Sequence, residues 1–359
     1  MTVQPLPAIL EIEPYKGGDN TLPGVTKPVK LASNENPFGP SPKARAAYAE
    51  AAAKLHIYPE GTARVLREAI AARYGLDPAR IICGAGSDEI FFLLTRAFLG
   101  VGDEMVTNQH AFGVYKIAAQ QSGAHTIFAT DKDLGADVDS LLAGVTPRTK
   151  MLMLANPNNP TGTYLPFAEI RRLHAGLPDH VLLVVDAAYA EYVRRNDYSS
   201  GLELAAETEN VIMTRTFSKI YGLAAARLGW AYGPPGVIDA LNRVRGPFNV
   251  SAPAMMAGIA ALEDQDFTEK SAAHNLAELE RVTRELEAMG LNVTPSVGNF
   301  VLVHFKPGQA VLADAHLRKR GYILRMMKSY GLPDSLRFTI GLTEQDTGAL
   351  AALREFLAP

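Results

Sequence analysis

The chain has 359 residues, 47% of them hydrophobic, which allows a large core and predicts two domains in close contact. Its net charge of −3 leaves no basic surplus for binding nucleic acid or an anionic membrane. The single cysteine, Cys83, excludes an internal disulfide framework and argues against a thiolate zinc site, and no metal is expected. No apolar run is long enough to span a bilayer, and the first residues do not resemble a secretion signal, as is typical of a cytoplasmic enzyme.

Residues 1–45 are rich in proline, glycine and asparagine. Segments such as KLASNENPFGPSP predict an extended arm with turns. The spacing of apolar residues then predicts a helix over 62–74, with Thr62 as its N-cap. The following stretch, RIICGAGSDEIFFLLTRAFLG, predicts a short strand, a glycine turn and an amphipathic helix.

Between residues 148 and 220, short apolar segments alternate with more polar ones. KMLMLA, VLLVVD and NVIMTRT predict strands, and PFAEIRRLHAG predicts a helix. This pattern indicates an α/β fold with a mostly parallel sheet covered by helices on both faces. Ligands of such sheets bind beyond the carboxyl ends of the strands, where NPNNPTG, Asp186 and Lys219 stand in this sequence.

Near residue 245, the segment RVRGPFNVSAPA interrupts the alternation. A long helical region is predicted to about Gly290. It is followed by a strand in NFVLVHF, a helix in QAVLADAHLRKRG, strands in YILRMM and LRFTIG, and a terminal helix in EQDTGALAALREFL. We therefore predict an arm over 1–45, a large domain over 46–248 and a smaller α+β domain over 249–359.

Two residues at predicted strand ends suggest covalent chemistry. An amine such as Lys219 can form a Schiff base with an aldehyde, although a single loop lysine is more often simply solvated. Asp186 ends an apolar strand, where a carboxylate is costly to bury unless a positive group such as a protonated pyridine nitrogen meets it. The alternative for Asp186 is an N-cap of the segment AAYAEY. Tyr189 and Asn159 can hydrogen-bond a phenolic oxygen, although NPNNPTG is also an ordinary proline-rich turn.

The segment GAGSDE predicts an anion site. Free backbone N–H groups at a helix start favour a phosphate, and Ser87 adds a hydroxyl. Glu89 replaces the third glycine of the dinucleotide pattern, and no Gly-Lys-Ser/Thr follows, so neither that pattern nor a Walker loop is present. Thr216, Ser218 and Arg227 would complete the phosphate site, with Arg227 supplying paired planar donors.

Taken together, these motifs resemble a known family. NPNNPTG, DAAYAEY, TFSKIYGLAAARLGW and LRFTIG, in this order and spacing, resemble the fold type I aminotransferases that depend on pyridoxal phosphate, along nearly the whole chain. Five further segments resemble the histidinol-phosphate aminotransferase branch of that family, namely EPYKGG, LASNENPFGPSP, YPEGTARVLREAIA, GAGSDEIFFLLTRAFL and RMMKSYGLPDSLRFTIG.

The resemblance implies a role for each matching position in binding pyridoxal phosphate. Lys219 would hold the cofactor covalently and transfer protons, and Asp186 would pair with its pyridinium. Asn159 and Tyr189 would bond its ring oxygen. Phe112 would stack on the ring, without the hydroxyl that many relatives carry there. The phosphate would be bound by Ser87, Asp88 through its backbone N–H, Thr216, Ser218 and Arg227. Tyr58 would reach the phosphate bound by the neighbouring subunit, which implies an obligatory homodimer with shared active sites.

The resemblance also implies a substrate site and a reaction. Arg337 would hold the carboxylate of glutamate or the phosphate of histidinol phosphate, with Arg325 and Tyr15 extending this pocket, although strand-edge charge is the alternative for both arginines. The implied reaction is a ping-pong transamination between L-glutamate and imidazole-acetol phosphate in histidine biosynthesis. An aromatic aminotransferase and a threonine-phosphate decarboxylase remain alternatives. A non-catalytic cofactor sensor is disfavoured because Lys219 is present and no DNA-binding segment is attached.

Overall fold

The computed structural model describes residues 2–358, which form three β-sheets and the helices that cover them. The strands are β1 (Val29–Lys30), β2 (Ile81–Gly84), β3 (Glu104–Asn108), β4 (His125–Ala129), β5 (Thr149–Ala155), β6 (Leu182–Asp186), β7 (Val211–Thr216), β8 (Gly229–Tyr232), β9 (Asn292–Thr294), β10 (Phe300–His304), β11 (Tyr322–Ile323), β12 (Arg325–Met326) and β13 (Ser335–Thr339). The helices are α1 (Pro7–Leu10), α2 (Pro42–Ala52), α3 (Arg64–Tyr74), α4 (Ser87–Phe98), α5 (Val114–Gln121), α6 (Val138–Ala143), α7 (Phe167–Gly176), α8 (Leu202–Glu207), α9 (Pro235–Val244), α10 (Ala252–Glu263), α11 (Gln265–Ala288), α12 (Gln309–Lys319) and α13 (Thr343–Leu357). Among these described helices, none is both long and apolar enough to cross a membrane.

The largest sheet has seven strands in the order β2-β8-β7-β6-β5-β3-β4. All neighbours are parallel except that β8 runs antiparallel to both β2 and β7. Strand residues alternate between two apolar cores, since Leu152 and Leu154 pack on one face of β5 and Met151 and Met153 on the other. Burial on both faces explains why the central strands are continuously apolar, and the predicted α/β fold is confirmed.

The smaller sheet has four antiparallel strands in the order β12-β13-β10-β9. Its core contains Val301, Val303, Leu336 and Phe338 and is covered by α11, α12 and α13. The single strand predicted in YILRMM is wrong. Tyr322–Ile323 pairs with β1, whereas Arg325–Met326 pairs with β13, so the chain passes from one sheet to another at this point.

The start of α3 also differs from the sequence prediction. Thr62 is not its N-cap, because the helix begins at Arg64 after Ala63, whose φ is 52°. Glu60 instead accepts the Arg64 backbone N–H at 2.8 Å and also binds the Thr62 hydroxyl. The Glu60 carboxylate therefore binds a free N–H of the first helical turn, a role that was predicted for the Thr62 hydroxyl.

The arm contains some regular structure, and α2 already begins at Pro42. Helix α10 lies beyond the predicted boundary at residue 248, yet Ala254 and Ala257 pack in the same core as Ala44 and Leu66. The predicted division into an arm, a large domain and a small domain stays a prediction.

Candidate active site

A cavity of about 280 Å³ lies beyond the carboxyl ends of the central strands. Sheet register brings these ends together, since Ala155 on β5 is opposite Asp186 on β6, and Asp186 is opposite Thr214 on β7. The cavity is lined by every predicted site residue except Tyr58, namely Tyr15, Ser87, Asp88, Phe112, Asn159, Asp186, Tyr189, Thr216, Ser218, Lys219, Arg227, Arg325 and Arg337.

Lys219 lies in the turn after β7 with its amine in the cavity. Its Nζ donates to the Ser33 carbonyl at 3.2 Å and lies 5.6 Å from the centre of the Tyr189 ring. Burial and, to a smaller extent, the positive charge of Arg337 lower the pKa of Lys219 to about 8. A substantial fraction of this amine is therefore neutral near pH 8 and able to act as a nucleophile or base.

Asp186 is a buried carboxylate with hydroxyl donors on both oxygens. Tyr115 donates to Oδ2 at 2.7 Å and Thr214 donates to Oδ1 at 3.2 Å. Burial nevertheless raises the pKa of Asp186 to about 6. The N-cap alternative does not hold, because Tyr189 occupies the N-cap position of the short 3₁₀ turn Ala190–Tyr192. A carboxylate held in this way suits a cation that enters from the cavity, such as a protonated ring nitrogen.

The raised pKa of Asp186 predicts how Asp186→Asn affects the cofactor-free protein. Because the folded-state pKa lies above the unfolded value, ionisation of Asp186 costs stability as pH rises, and the full cost is present above about pH 6. Asparagine can still accept from Tyr115 and avoids this cost. We expect the variant to gain up to about 3 kcal/mol over wild type at pH 7.5, and much less at pH 4.5. Urea unfolding at both values measures the difference, and a gain that does not change with pH contradicts this reasoning.

The N-terminus of α4 is suited to bind an anion. Gly86 occupies the N-cap position with φ 84° and makes no side-chain cap, so the first N–H groups of the helix remain available. Arg227 donates to Ser218 Oγ at 3.3 Å and forms an ion pair with the Asp88 carboxylate at 3.1 Å. The φ of 84° explains the glycine, because side chains rarely adopt this conformation, and a Cβ there would also meet the Arg227 guanidinium. Only the backbone N–H of Asp88 was predicted to take part in the site, and this ion pair of its carboxylate was not predicted.

Arg337 is a buried cation on the middle of the small sheet. Its side chain donates to Asn159 Oδ1, and to the Ala32 carbonyl at 2.7 Å. Its Nε is buried and has no hydrogen-bond partner. The residue is 6% exposed, and β13 lies between β10 and β12, so it is not an edge charge. A buried guanidinium with an unused donor that lines a cavity suits an anionic ligand.

The N-terminal segment, strand β12 and the loop after it form the rim of the cavity. Tyr15 is half exposed and packs edge-on against Phe112, with ring centres 6.5 Å apart. Arg325 donates to the Lys16 carbonyl, which ties this segment to the small sheet. These contacts place two aromatic rings and a second guanidinium at the entrance to the site, beside Tyr330.

Tyr58 lies outside this cavity. Its side chain is 80% exposed and stacks on Phe248 with ring centres 4.8 Å apart. A reach into a neighbouring subunit stays a prediction. Three residues that contact the site were not predicted from the sequence: Tyr115, Thr214 and Asn34. The partners of Tyr115 and Asn34 lie far away in the chain. Thr214 could have been found, because it stands on β7, a strand whose end was already predicted to reach the site.

Comparison with known proteins agrees with this geometry. The family model described as aminotransferase class I and II matches residues 26–353. The chain belongs to this aminotransferase family. It is 56% identical over 359 residues to a histidinol-phosphate aminotransferase of Rhodopseudomonas palustris (strain BisB5), covering 99% of this chain and 98% of that protein. A relative with the same name from Nitrobacter hamburgensis is also 56% identical, over 99% of this chain and 98% of its own length.

A solved structure gives the same fold for this aminotransferase. The histidinol-phosphate aminotransferase of Sinorhizobium meliloti, in complex with pyridoxal-5'-phosphate, superposes with a TM-score of 0.87 at 27% identity. The alignment covers 99% of this chain and 98% of that one. The fold type I architecture predicted from the motifs is therefore confirmed.

Proposed function

We propose that this aminotransferase binds pyridoxal phosphate and transfers an amino group between L-glutamate and imidazole-acetol phosphate. The observation that carries this proposal is one cavity that joins a lysine of lowered pKa, a buried carboxylate and a buried arginine with an unused donor. The substrate assignment is supported by relatives that are named histidinol-phosphate aminotransferase and are similar over nearly the full length.

The residues of the cavity fit the proposed cofactor. Asp186 would keep a ring nitrogen protonated, because its burial favours a cationic partner. The α4 N-terminus, with Ser87, Thr216, Ser218 and Arg227, would bind the phosphate. Asn159 and Tyr189 would bond the ring oxygen and Phe112 would cover the ring. When bound, pyridoxal phosphate supplies an electron-accepting ring that stabilises negative charge on the substrate α-carbon.

The protein's own residues then determine binding and proton transfer. Lys219 would anchor the cofactor and, once displaced by the substrate amine, would accept and return the α-carbon proton. Its lowered pKa suits that task near neutral pH. Arg337 would bind an anionic group of either substrate, since both carry negative charge near the reacting carbon, and Arg325 and Tyr15 would extend the pocket.

We further propose that the active form is a cytoplasmic homodimer. The exposed stack of Tyr58 on Phe248 supports the homodimer, because Tyr58 does not line the cavity of its own chain and its exposed ring is available to a second subunit. In that arrangement Tyr58 would contribute to the phosphate site of the neighbouring subunit.

Half-reactions test the substrate assignment. We expect histidinol phosphate to convert the visible band of the cofactor-loaded protein to that of the pyridoxamine form, and phenylalanine at equal concentration to leave it unchanged. Glutamate should also convert it, as the second donor. The measurement is the absorbance change in single turnovers, together with gas analysis. Conversion by phenylalanine but not by histidinol phosphate would identify an aromatic aminotransferase. Release of carbon dioxide from threonine phosphate would identify a decarboxylase.

A further inference from the structure

Asn34 is a buried residue that connects three separate segments of the chain. It is 1% exposed, and its φ of 56° is left-handed, a conformation in which asparagine is enriched. Its Nδ2 donates to the Tyr189 hydroxyl at 2.8 Å, and its carbonyl accepts from Asn299 at 3.0 Å. Its Oδ1 accepts from the Thr339 hydroxyl at 2.9 Å. The amide is therefore fixed between the turn after β6 and strand β13.

Thr339 supports the orientation in which the nitrogen end of the Asn34 amide faces Tyr189. The Thr339 Oγ1 accepts the Asn34 backbone N–H at 3.0 Å, which leaves its own hydrogen to donate to Oδ1. The amide nitrogen then points to Tyr189, and this assignment follows from the hydrogen-bond network. Because an amide nitrogen can only donate, the Tyr189 oxygen accepts in this bond. The hydroxyl hydrogen of Tyr189 is thus left for a different acceptor.

The Tyr189 hydroxyl retains that hydrogen at neutral pH. The side chain is 3% exposed and lines the cavity, near Lys219. Burial raises the pKa of Tyr189 to about 12, and the bond from Asn34 opposes this increase. A hydroxyl that accepts one hydrogen bond becomes a better donor in the next, because neighbouring bonds in a chain polarise one another.

We propose that Asn34 is a positioning residue that makes the Tyr189 hydroxyl a hydrogen-bond donor to the phenolic oxygen of bound pyridoxal phosphate. This inference rests on the proposed function, since it requires that cofactor. A donor to the phenolic oxygen stabilises negative charge there and so reduces the ability of that oxygen to hold the proton of the cofactor–lysine linkage. Asn34, which also lines the cavity, would therefore keep the pKa of the linkage low through the Tyr189 hydroxyl.

The test is a pH titration of the visible band of the cofactor-loaded protein. Asn34→Ala is expected to raise the pKa of this transition by about 0.4 to 1, which corresponds to the net value of one hydrogen bond. The control is Asn36→Ala in the same segment. Asn36 is also buried and donates to the Ile220 carbonyl at 2.6 Å and to Ser271, but it does not bond Tyr189. Asn36→Ala should lower the free energy of unfolding and leave the pKa of the visible-band transition unchanged.

Two further variants separate positioning from general damage. Thr339→Val keeps the size of the side chain and releases the Asn34 amide, so it should move the pKa in the same direction and tests the idea if Asn34→Ala does not fold. In a Tyr189→Phe background, neither variant should shift the pKa further. An unchanged pKa in both single variants, or a shift that persists without the Tyr189 hydroxyl, overturns the inference. A wild-type protein that forms no visible band with pyridoxal phosphate overturns the proposed function and this inference together.

Discussion

Lys219→Ala is expected to reduce kcat by about 10⁴-fold or more, because it removes both the cofactor anchor and the base that moves the α-carbon proton. The remaining rate would come only from binding of the substrate and cofactor by the other residues of the site. The variant should still fold, since the amine is desolvated and its removal leaves only the Ser33 carbonyl without this donor. Single-turnover kinetics with histidinol phosphate and with glutamate measure the loss.

The matched control for this experiment is Lys43→Ala. Lys43 is exposed, lies 3.7 Å from Asp264 and does not line the cavity, so kcat should not change. Borohydride treatment of the loaded wild type should leave a stable adduct on the peptide that contains Lys219, and none in the variant. Turnover by Lys219→Ala within tenfold of wild type would contradict the central role given to this amine.

The central sheet and the strand-end residues could be predicted because both depend on local sequence. Strands β5, β6 and β7 begin within one residue of the apolar segments that predicted them. A parallel sheet places all carboxyl ends at one edge, so polar residues such as Asp186 and Lys219 must meet there. The position of Asp186 and Lys219 at strand ends therefore predicted that both line one cavity, whereas Tyr15, Phe112, Arg325 and Arg337 were expected only from the family resemblance.

The supporting contacts could not be predicted in the same way. Tyr115 is 71 residues from Asp186, and Asn34 is 155 residues from Tyr189. Such contacts depend on how helices and loops pack, and no periodicity in the sequence records that packing. The break of YILRMM between two sheets has the same origin, because the short strand β1 in the arm supplies a partner that local pattern does not reveal.

Arg337 and Arg325 stand in neighbouring strands of the small sheet, yet their surroundings predict different contributions to substrate binding. The two residues are opposite each other in the register of β12 and β13. Arg337 is buried, with a buried Nε that has no partner, whereas Arg325 lies at the more open rim and donates to the Lys16 carbonyl. A charge-assisted bond gains more in a desolvated site than at a solvated rim, because water screens the rim.

Arg337→Gln is therefore expected to lower kcat/KM for histidinol phosphate by about 10²- to 10⁴-fold, the loss of two charge-assisted bonds of about 1.5 to 3 kcal/mol each. Arg325→Gln, the matched variant, should lower it by about tenfold or less, the value of a screened charge. The affinity of the cofactor-free protein for pyridoxal phosphate should change little in either variant, because the proposed phosphate site is at the N-terminus of α4 and not on the small sheet. Steady-state kinetics with both substrates measure the difference. Equal losses in the two variants, or a larger loss in Arg325→Gln, would show that the buried guanidinium is not the principal anion anchor.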